Sequence, residues 1–282
     1  MDIEKAFDSI RENIKNENYG AVRPEIDAIV SASSDDVDTI LKCASLLKTI
    51  DDEDGCQDLI DKALAVLPSD GSKDFDTALA VRGLGRPDDA YRLIKRFKDD
   101  SEKRSEVART MLLADEAEEA LDIVRSMKKR RVTDRLLLCD ILCSLGEFND
   151  ALKEAESIVE DDDASYRSLV NVCGVMMRMG REKDAVKLAR SHLKEDKKNA
   201  DSLALNAYVM WINGKIPAAA NYANRALHID YSHVGALEVM AMCFIEKGKY
   251  TQAKLFAGAI NDKEPGSPAV IRILDACKVS SA

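Results

Sequence analysis

The chain has 282 residues, of which 46% are hydrophobic and only 5% aromatic, with 6 Pro and 13 Gly. So few helix breakers predict helices almost throughout. There is no run of about 18 apolar residues, so we expect no membrane span. The start Met1–Lys5 lacks a basic region followed by an apolar block, so no secretory signal is expected. Seven cysteines, an odd number, favour a reducing compartment, and we expect the cytoplasm.

The net charge of −10 disfavours a dominant nucleic-acid or anionic-membrane surface. The charge is unevenly spread along the chain. Residues 1–165 hold 24 Lys+Arg and 40 Asp+Glu, a net −16, whereas residues 166–282 hold 17 and 11, a net +6. Two interpretations stay open: the asymmetry serves solubility alone, or it gives the molecule a functional polarity.

The amino-terminal half shows a degraded pattern of paired helices, with an expected turn at the middle of each pair. The expected turns are Glu17, Asp51, Gly85 and Asp115, and apolar residues recur at helical spacing around each. The steps from Gly85 to Asp115 and on to Gly146 are 30 and 31 residues, against 34 elsewhere. These shorter steps predict a shorter helix or a tighter connection, and an irregular joint, around residues 98–132.

The carboxyl-terminal half repeats one pattern in phase. Its expected turns, Gly146, Gly180, Gly214 and Gly248, follow one another at steps of 34 residues. The residues around the last two turns also correspond: Leu203, Ala207 and Met210 answer to Leu237, Ala241 and Phe244, while Ile216, Ala219, Ala223 and Ala226 answer to Tyr250, Ala253, Ala257 and Ile260. The last copy closes with Pro265, and Pro268–Lys278 is predicted to form a final helix before a fraying end at residues 279–282.

This pattern resembles the tetratricopeptide repeat (TPR), a helix-turn-helix unit of 34 residues with small residues where its two helices touch. The resemblance implies an all-α, right-handed α-α superhelix (solenoid) of about eight TPR-like helix pairs plus a carboxyl-terminal capping helix. We expect about 17 helices in a single array over residues 1–282. Residues 1–131 would be divergent acidic repeats, 132–265 well-matched repeats, and 266–282 the capping helix and tail.

The sequence offers few residues arranged for catalysis or metal binding, and we expect neither an enzyme nor a bound cofactor. A zinc site needs about four ligands, and Cys139 and Cys143 lie one helical turn apart with no second pair to complete one. The run Asp51–Gly55 does not fit a calcium loop, which needs glycine sixth and glutamate twelfth, because Gly55 is fifth and Lys62 twelfth. The histidines, read as helix-end cations without a catalytic partner, are His192, His228 and His233.

Three charged runs have a structural interpretation, and the basic one has functional interpretations as well. The acidic runs at Asp51–Asp54 and Asp161–Asp163 precede predicted helices, where carboxylates cap free N–H groups. The basic run Lys128–Arg131, followed by Arg135, is either a nuclear address, a contact for an acidic partner, or a helix end with an exposed connector. We favour the structural interpretation of each run.

In proteins of the TPR family, repeat positions 2, 5, 9 and 12 of the first helix of each pair line the concave groove. In the pair around Gly214 these positions are Asp201, Ala204, Tyr208 and Trp211. Here these positions include the only Trp, next to Tyr and Met, with cations at the rim, which indicates an apolar anchor site. Alternatively, these side chains pack on one another or on the final helix. The residues predicted to bind a partner are Arg167, Asn171, Met177, Arg178, Tyr208, Trp211, Met242 and Ile245.

The resemblance implies a non-catalytic protein–protein interaction scaffold that binds a protein segment in its groove. Family members that hold chaperone carboxyl termini carry a clamp of Lys, Arg and Asn, of which only Asn171 is present. The other positions of the clamp hold Leu136, Asp140, Asp201 and Leu205, which supply no cation. One alternative is a structural subunit of a larger complex. Another is an RNA-binding helical repeat, but basic residues do not recur at position 5, which runs Phe7, Leu41, Phe75, Ser105, Leu136, Val170, Ala204 and Glu238.

Overall fold

The computed structural model describes residues 2–16, 18–160, 165–263 and 267–279. Within these ranges the chain forms 17 α-helices and one short 3-10 helix, and no strand. The all-α prediction and the expected number of helices are therefore confirmed. The predicted turn at Glu17, the acidic run Asp161–Asp163, Pro265 and the end of the chain at residues 280–282 lie outside the described residues.

The chain divides into two compact units, Met1–Ser126 and Met127–Ala282, called here the N-terminal and C-terminal units. In the N-terminal unit consecutive helices pack as pairs. They are α1 (Ile3–Lys15), α2 (Tyr19–Ala32), α3 (Val37–Thr49), α4 (Glu53–Ala65), α5 (Asp74–Gly83), α6 (Pro87–Ile94), the 3-10 helix (Lys95–Phe97), α7 (Arg104–Leu113) and α8 (Ala117–Ser126).

The helices of the last two pairs of this unit are short. Helices α7 and α8 have 10 residues each and α6 has 8, whereas α1, α3 and α4 have 13. This shortening accounts for the repeat steps of 30 and 31 residues, so the predicted irregularity around residues 98–132 is confirmed.

The C-terminal unit contains four regular pairs and a final helix. They are α9 (Val132–Ser144), α10 (Phe148–Glu160), α11 (Tyr166–Arg178), α12 (Glu182–Glu195), α13 (Ala200–Ile212), α14 (Ile216–Ile229), α15 (Val234–Ile245), α16 (Tyr250–Lys263) and α17 (Pro268–Val279). Helix α17 packs on both α15 and α16, and its Ala269, Ile273 and Cys277 are buried against Leu237 and Ile260. The predicted capping helix is therefore confirmed.

Every predicted turn residue that the structure describes has a left-handed backbone. The φ values are 63° at Asp51, 95° at Gly85, 61° at Asp115, 77° at Gly146, 69° at Gly180, 69° at Gly214 and 68° at Gly248. A left-handed residue ends a helix because it lets the next N–H groups turn back to the last free carbonyls. After α13, for example, the Gly214 N–H donates to the Trp211 carbonyl at 2.8 Å and the Lys215 N–H to the Met210 carbonyl at 2.9 Å.

Small residues fill the contact between the two helices of a pair, as predicted. Ala219, Ala223 and Ala226 of α14 are fully buried. The thiols of Cys139 and Cys173 occupy the equivalent position in their pairs, and they donate to the carbonyls of Ala151 at 3.6 Å and Ala185 at 3.9 Å. Burial raises the pKa of each of these two thiols to about 12, so they are packing residues rather than reactive ones.

We predict opposite effects for alanine at two glycines of the C-terminal unit. A Cβ at Gly214 would meet no atom within 4 Å, so Gly214→Ala isolates the strain of the left-handed backbone and should lower the free energy of unfolding by about 1–2 kcal/mol. Gly258 is exposed inside α16 and equally uncrowded, so Gly258→Ala should raise it by roughly 0.5–1 kcal/mol. Urea unfolding of both variants tests this, and equal effects would contradict the assignment of the turn.

Candidate binding surface

The predicted partner-binding residues lie on the first helices of the C-terminal unit. These helices are neighbours in space, because α11 packs on α13, α13 on α15, and α15 on α17. One side of these four helices carries repeat positions 1, 2, 5, 9, 12 and 13. We call this side the first-helix surface. It contains residues that the sequence predicted and others that it did not.

Tyr208 and Trp211 form the aromatic centre of this surface. Their ring centroids are 6.1 Å apart with the planes tilted by 54°, and both side chains are partly buried. The tyrosine hydroxyl reaches over Gly174 of the preceding repeat, where an added Cβ would lie 3.2 Å from it. The space that Gly174 leaves is therefore taken by Tyr208. Burial raises the pKa of Tyr208 to about 12, against the opposing effect of the nearby Arg178 guanidinium.

Tyr166, which the sequence analysis did not single out, spans two repeats of this surface. Its ring meets the His233 ring edge to face, with centroids 5.0 Å apart and planes at 83°. Its hydroxyl lies so close to Gly235 that an added Cβ there would be 2.3 Å away. Burial, and next the charge of Glu238, raise the pKa of Tyr166 above the usual range. It was missed because it occupies position 1, outside the positions that line the groove in the TPR family.

His233 was predicted to be a helix-end cation, and this prediction is wrong. It is the N-cap of α15: the Ala236 N–H donates to its Nδ1 at 3.1 Å, and its Nε2 lies 2.8 Å from an Asp201 carboxylate oxygen. Because Nδ1 accepts a hydrogen bond, Nε2 carries the proton and donates it to Asp201. The bond to Nδ1 caps α15 and the bond from Nε2 joins α15 to α13, so neither nitrogen is left to act as a base. His192 and His228 do lie in the last turns of α12 and α14.

Met242 and Ile245 are largely covered by the capping helix. Ile245 is only 8% exposed and belongs to the core that α17 closes, and Met242 packs against the same core. Arg272 of α17 donates from Nε and Nη2 to one Glu238 carboxylate oxygen at 2.9 and 2.7 Å. The first-helix surface of α15 is therefore occupied by this chain's own residues.

The remaining predicted residues are on α11. Arg178 and Arg167 are exposed at its two ends, and Met177 is partly buried, with its sulfur 3.9 Å from the Asn213 amide nitrogen. Asn171 is partly buried, and its side-chain oxygen finds no hydrogen-bond donor in the described residues. Ile212, next to Trp211, is 36% exposed. The part that stays accessible, called here the open patch, consists of Met177, Arg178, Tyr208, Trp211 and Ile212.

The acidic run at Asp51–Asp54 occupies the structural position that was expected for it. Asp52 is the N-cap of α4 and accepts the Gly55 N–H at 2.9 Å, so the acidic run there caps a helix. Lys128–Arg131 lies after the end of α8, in an exposed connector that leads into α9. Across the described ranges no group of three or more metal-ligating side chains is found. Nor is any helix in those ranges both long and apolar enough to cross a membrane.

No protein-family model matches the sequence, and no curated protein matches it. Solved structures do match. A tetratricopeptide repeat protein from Parabacteroides merdae has a TM-score of 0.52 at 11% identity, over 86% of this chain and 98% of that one. The P58(IPK) TPR domain has a TM-score of 0.34 at 14% identity, over 100% of this chain and 98% of that one. TTC0263 from Thermus thermophilus has a TM-score of 0.40 at 14% identity, over 73% of this chain and 98% of that one.

The consecutive helix pairs and their left-handed turns define a protein of the all-α helical-repeat class. Within that class, the likeness to the Parabacteroides merdae structure shows that the chain has a TPR-like repeat fold.

Proposed function

We propose that the protein is a non-catalytic interaction scaffold that binds a protein segment at the open patch. The observation that supports this best is the position of Trp211, the only tryptophan of the chain. It is partly buried beside Tyr208 rather than enclosed in a core, and the exposed Arg178 stands next to the same tyrosine. An aromatic anchor with a cationic rim is typical of the centre of a protein interface.

The chemistry of the open patch suggests what the bound segment contains. An apolar side chain would pack against Trp211 and Met177, and an acidic side chain would pair with Arg178. Arg167 lies 11 residues before Arg178 on the same helix, roughly 16 Å away along its axis. A second acidic residue of the segment would meet it there. Because the packed first helices hold these side chains in place, binding would carry a smaller entropic cost.

RNA binding is the less favoured candidate. It would need cations that recur at equivalent positions of successive repeats, facing the strand. At position 5, Leu136 and Ala204 are buried, and Glu238 is an anion paired with Arg272. All seven cysteines are buried and none forms a disulfide, which supports the proposal that the protein works in the reducing cytoplasm.

The test compares two double variants with wild type in affinity capture from the native lysate, followed by titration of each captured protein. We expect Trp211→Ala with Arg178→Glu to weaken binding at least about tenfold, since it removes the anchor and reverses the rim charge. The matched control is Tyr231→Ala with Arg225→Glu, which changes an aromatic residue that is 86% exposed and an exposed cation away from the patch.

Melting curves of both variants are recorded alongside. If the two variants bind captured proteins equally well while keeping the wild-type melting temperature, the open patch is not the binding surface. If the patch variant melts early, Trp211 is a packing residue, and Arg178→Glu alone, which leaves the aromatic pair intact, decides the question.

A further inference from the structure

Helix α12, a second helix of the C-terminal unit, carries a stripe of cations. Lys183, Lys187, Arg190 and Lys194 follow one another at steps of 4, 3 and 4 residues, which places them on one face of the helix. All four side chains are exposed. In the described part of the chain none of the four forms an ion pair, although the same helix has carboxylates at Glu182 and Glu195. We call these four residues the basic stripe.

The fold does not require the basic stripe. The equivalent positions of the next second helix, α14, hold Pro217, Asn221, Asn224 and His228, so the fold does not need Lys or Arg there. Like charges one turn apart destabilise a helix by a few tenths of a kcal/mol per pair. The repulsion within the stripe therefore lowers the stability of α12, and a binding partner with opposite charge would relieve it.

The same chain carries the matching anions. Asp54, Asp58 and Asp61 of α4 follow at steps of 4 and 3 residues and are exposed on one face. Asp61 contacts Arg86 at 3.0 Å and is still 65% exposed, and Asp54 and Asp58 form no ion pair among the described residues. Residues 1–126 as a whole hold 18 Lys+Arg against 30 Asp+Glu, a net charge of −12. We call these three aspartates the acidic stripe.

The two stripes match in spacing whichever way the helices run. In a parallel arrangement the three aspartates face Lys183, Lys187 and Arg190, with steps of 4 and 3 on both helices. In an antiparallel arrangement Asp61, Asp58 and Asp54 face Lys187, Arg190 and Lys194, with steps of 3 and 4 on both. Lys187 and Arg190 take part in either arrangement. A single exposed ion pair contributes little, but three in register act together.

We propose that a second copy of this chain docks its acidic stripe on the basic stripe. The contact joins two different surfaces, α4 of one copy and α12 of the other, so it is heterologous. It lies on second helices and uses no residue of the open patch, and it stands or falls independently of the proposed function.

The experiment is analytical ultracentrifugation of the full chain at several concentrations and two salt concentrations. Wild type should associate at about 0.05 M salt, and the association constant should fall at least about tenfold at roughly 0.5 M, where screening acts within a few ångströms. Two charge-reversed variants, Lys187→Glu with Arg190→Glu and Asp54→Lys with Asp58→Lys, should each stay monomeric. Mixed in equal amounts, they should associate again, because the unchanged acidic stripe of the first variant fits the unchanged basic stripe of the second, and their two reversed stripes fit each other.

The mixture also shows that both variants are folded, since only intact helices can restore the contact. The double variant Asp54→Asn with Asp58→Asn provides a second check. It should lose association without introducing repulsion, because asparagine is neutral. A wild-type chain that stays monomeric at low salt would overturn the proposal. So would association that does not respond to salt, or two variants that fail to combine while both keep wild-type melting curves.

Discussion

Replacing Ile273 with alanine is expected to lower the free energy of unfolding of the C-terminal unit by about 3 kcal/mol, within the 2–5 kcal/mol typical of such truncations. The side chain is fully buried, and it joins α17 to Leu237, Ile245 and Ile260 of the last pair. Alanine would leave a cavity between three helices that are fixed to one another. Urea unfolding followed by circular dichroism measures the change.

The adjacent residue supplies the control for this prediction. Arg272 is 58% exposed in its side chain, and its ion pair with Glu238 lies at the surface, so Arg272→Ala should cost less than about 1 kcal/mol. A loss for Ile273→Ala no larger than that for Arg272→Ala would show that α17 does not close the core. The capping role would then have to be abandoned.

Replacing Gly235 with alanine is expected to lower the free energy of unfolding by about 1–2 kcal/mol, although alanine is the better helix former. A Cβ there would lie 2.3, 2.4 and 2.5 Å from the Oη, Cε1 and Cζ atoms of Tyr166, so the ring must move. The move breaks its edge-to-face contact with His233, and such overpacking typically costs 1–3 kcal/mol. The higher helix propensity of alanine offsets up to about 1 kcal/mol of this loss of stability.

A double-mutant cycle isolates the contact. In a Tyr166→Ala background the obstacle is gone, so Gly235→Ala should become neutral or stabilising, as is predicted for Gly258→Ala. An equal loss in both backgrounds would mean that Tyr166 does not rest on Gly235. The cycle also shows whether this end of the first-helix surface is filled by the chain itself.

The fold was predictable because its signals are local. A left-handed turn depends on the hydrogen bonds of a few consecutive residues, so a glycine, or Asp51 and Asp115 in its place, marks the turn of every pair from α3 and α4 onward. Shorter steps near residues 98–132 likewise correspond to the 10-residue helices α7 and α8. The single array over residues 1–282, with its divergent and well-matched parts, stays a prediction.

The binding surface was predictable only in part, because its residues meet across repeats. Tyr208 and Trp211 are three residues apart on one helix, and the periodicity indicated their common face. Tyr166 and Gly235 are 69 residues apart, and Asp201 and His233 are 32 apart. Neither separation is a multiple of the repeat length, so neither pair could be found by comparing equivalent positions.

The sequence by itself determined the helix pairs, their turns and the small residues between them, since each depends on neighbours within one repeat. Only the tertiary structure decided which residues of the first-helix surface stay accessible. That depends on how closely successive repeats approach. Tyr166 reaches Gly235, and α17 covers Ile245 while Arg272 holds Glu238, so the accessible part narrows to the open patch. Side-chain packing between repeats sets how closely the repeats approach one another, and the 34-residue period of the sequence does not encode that packing.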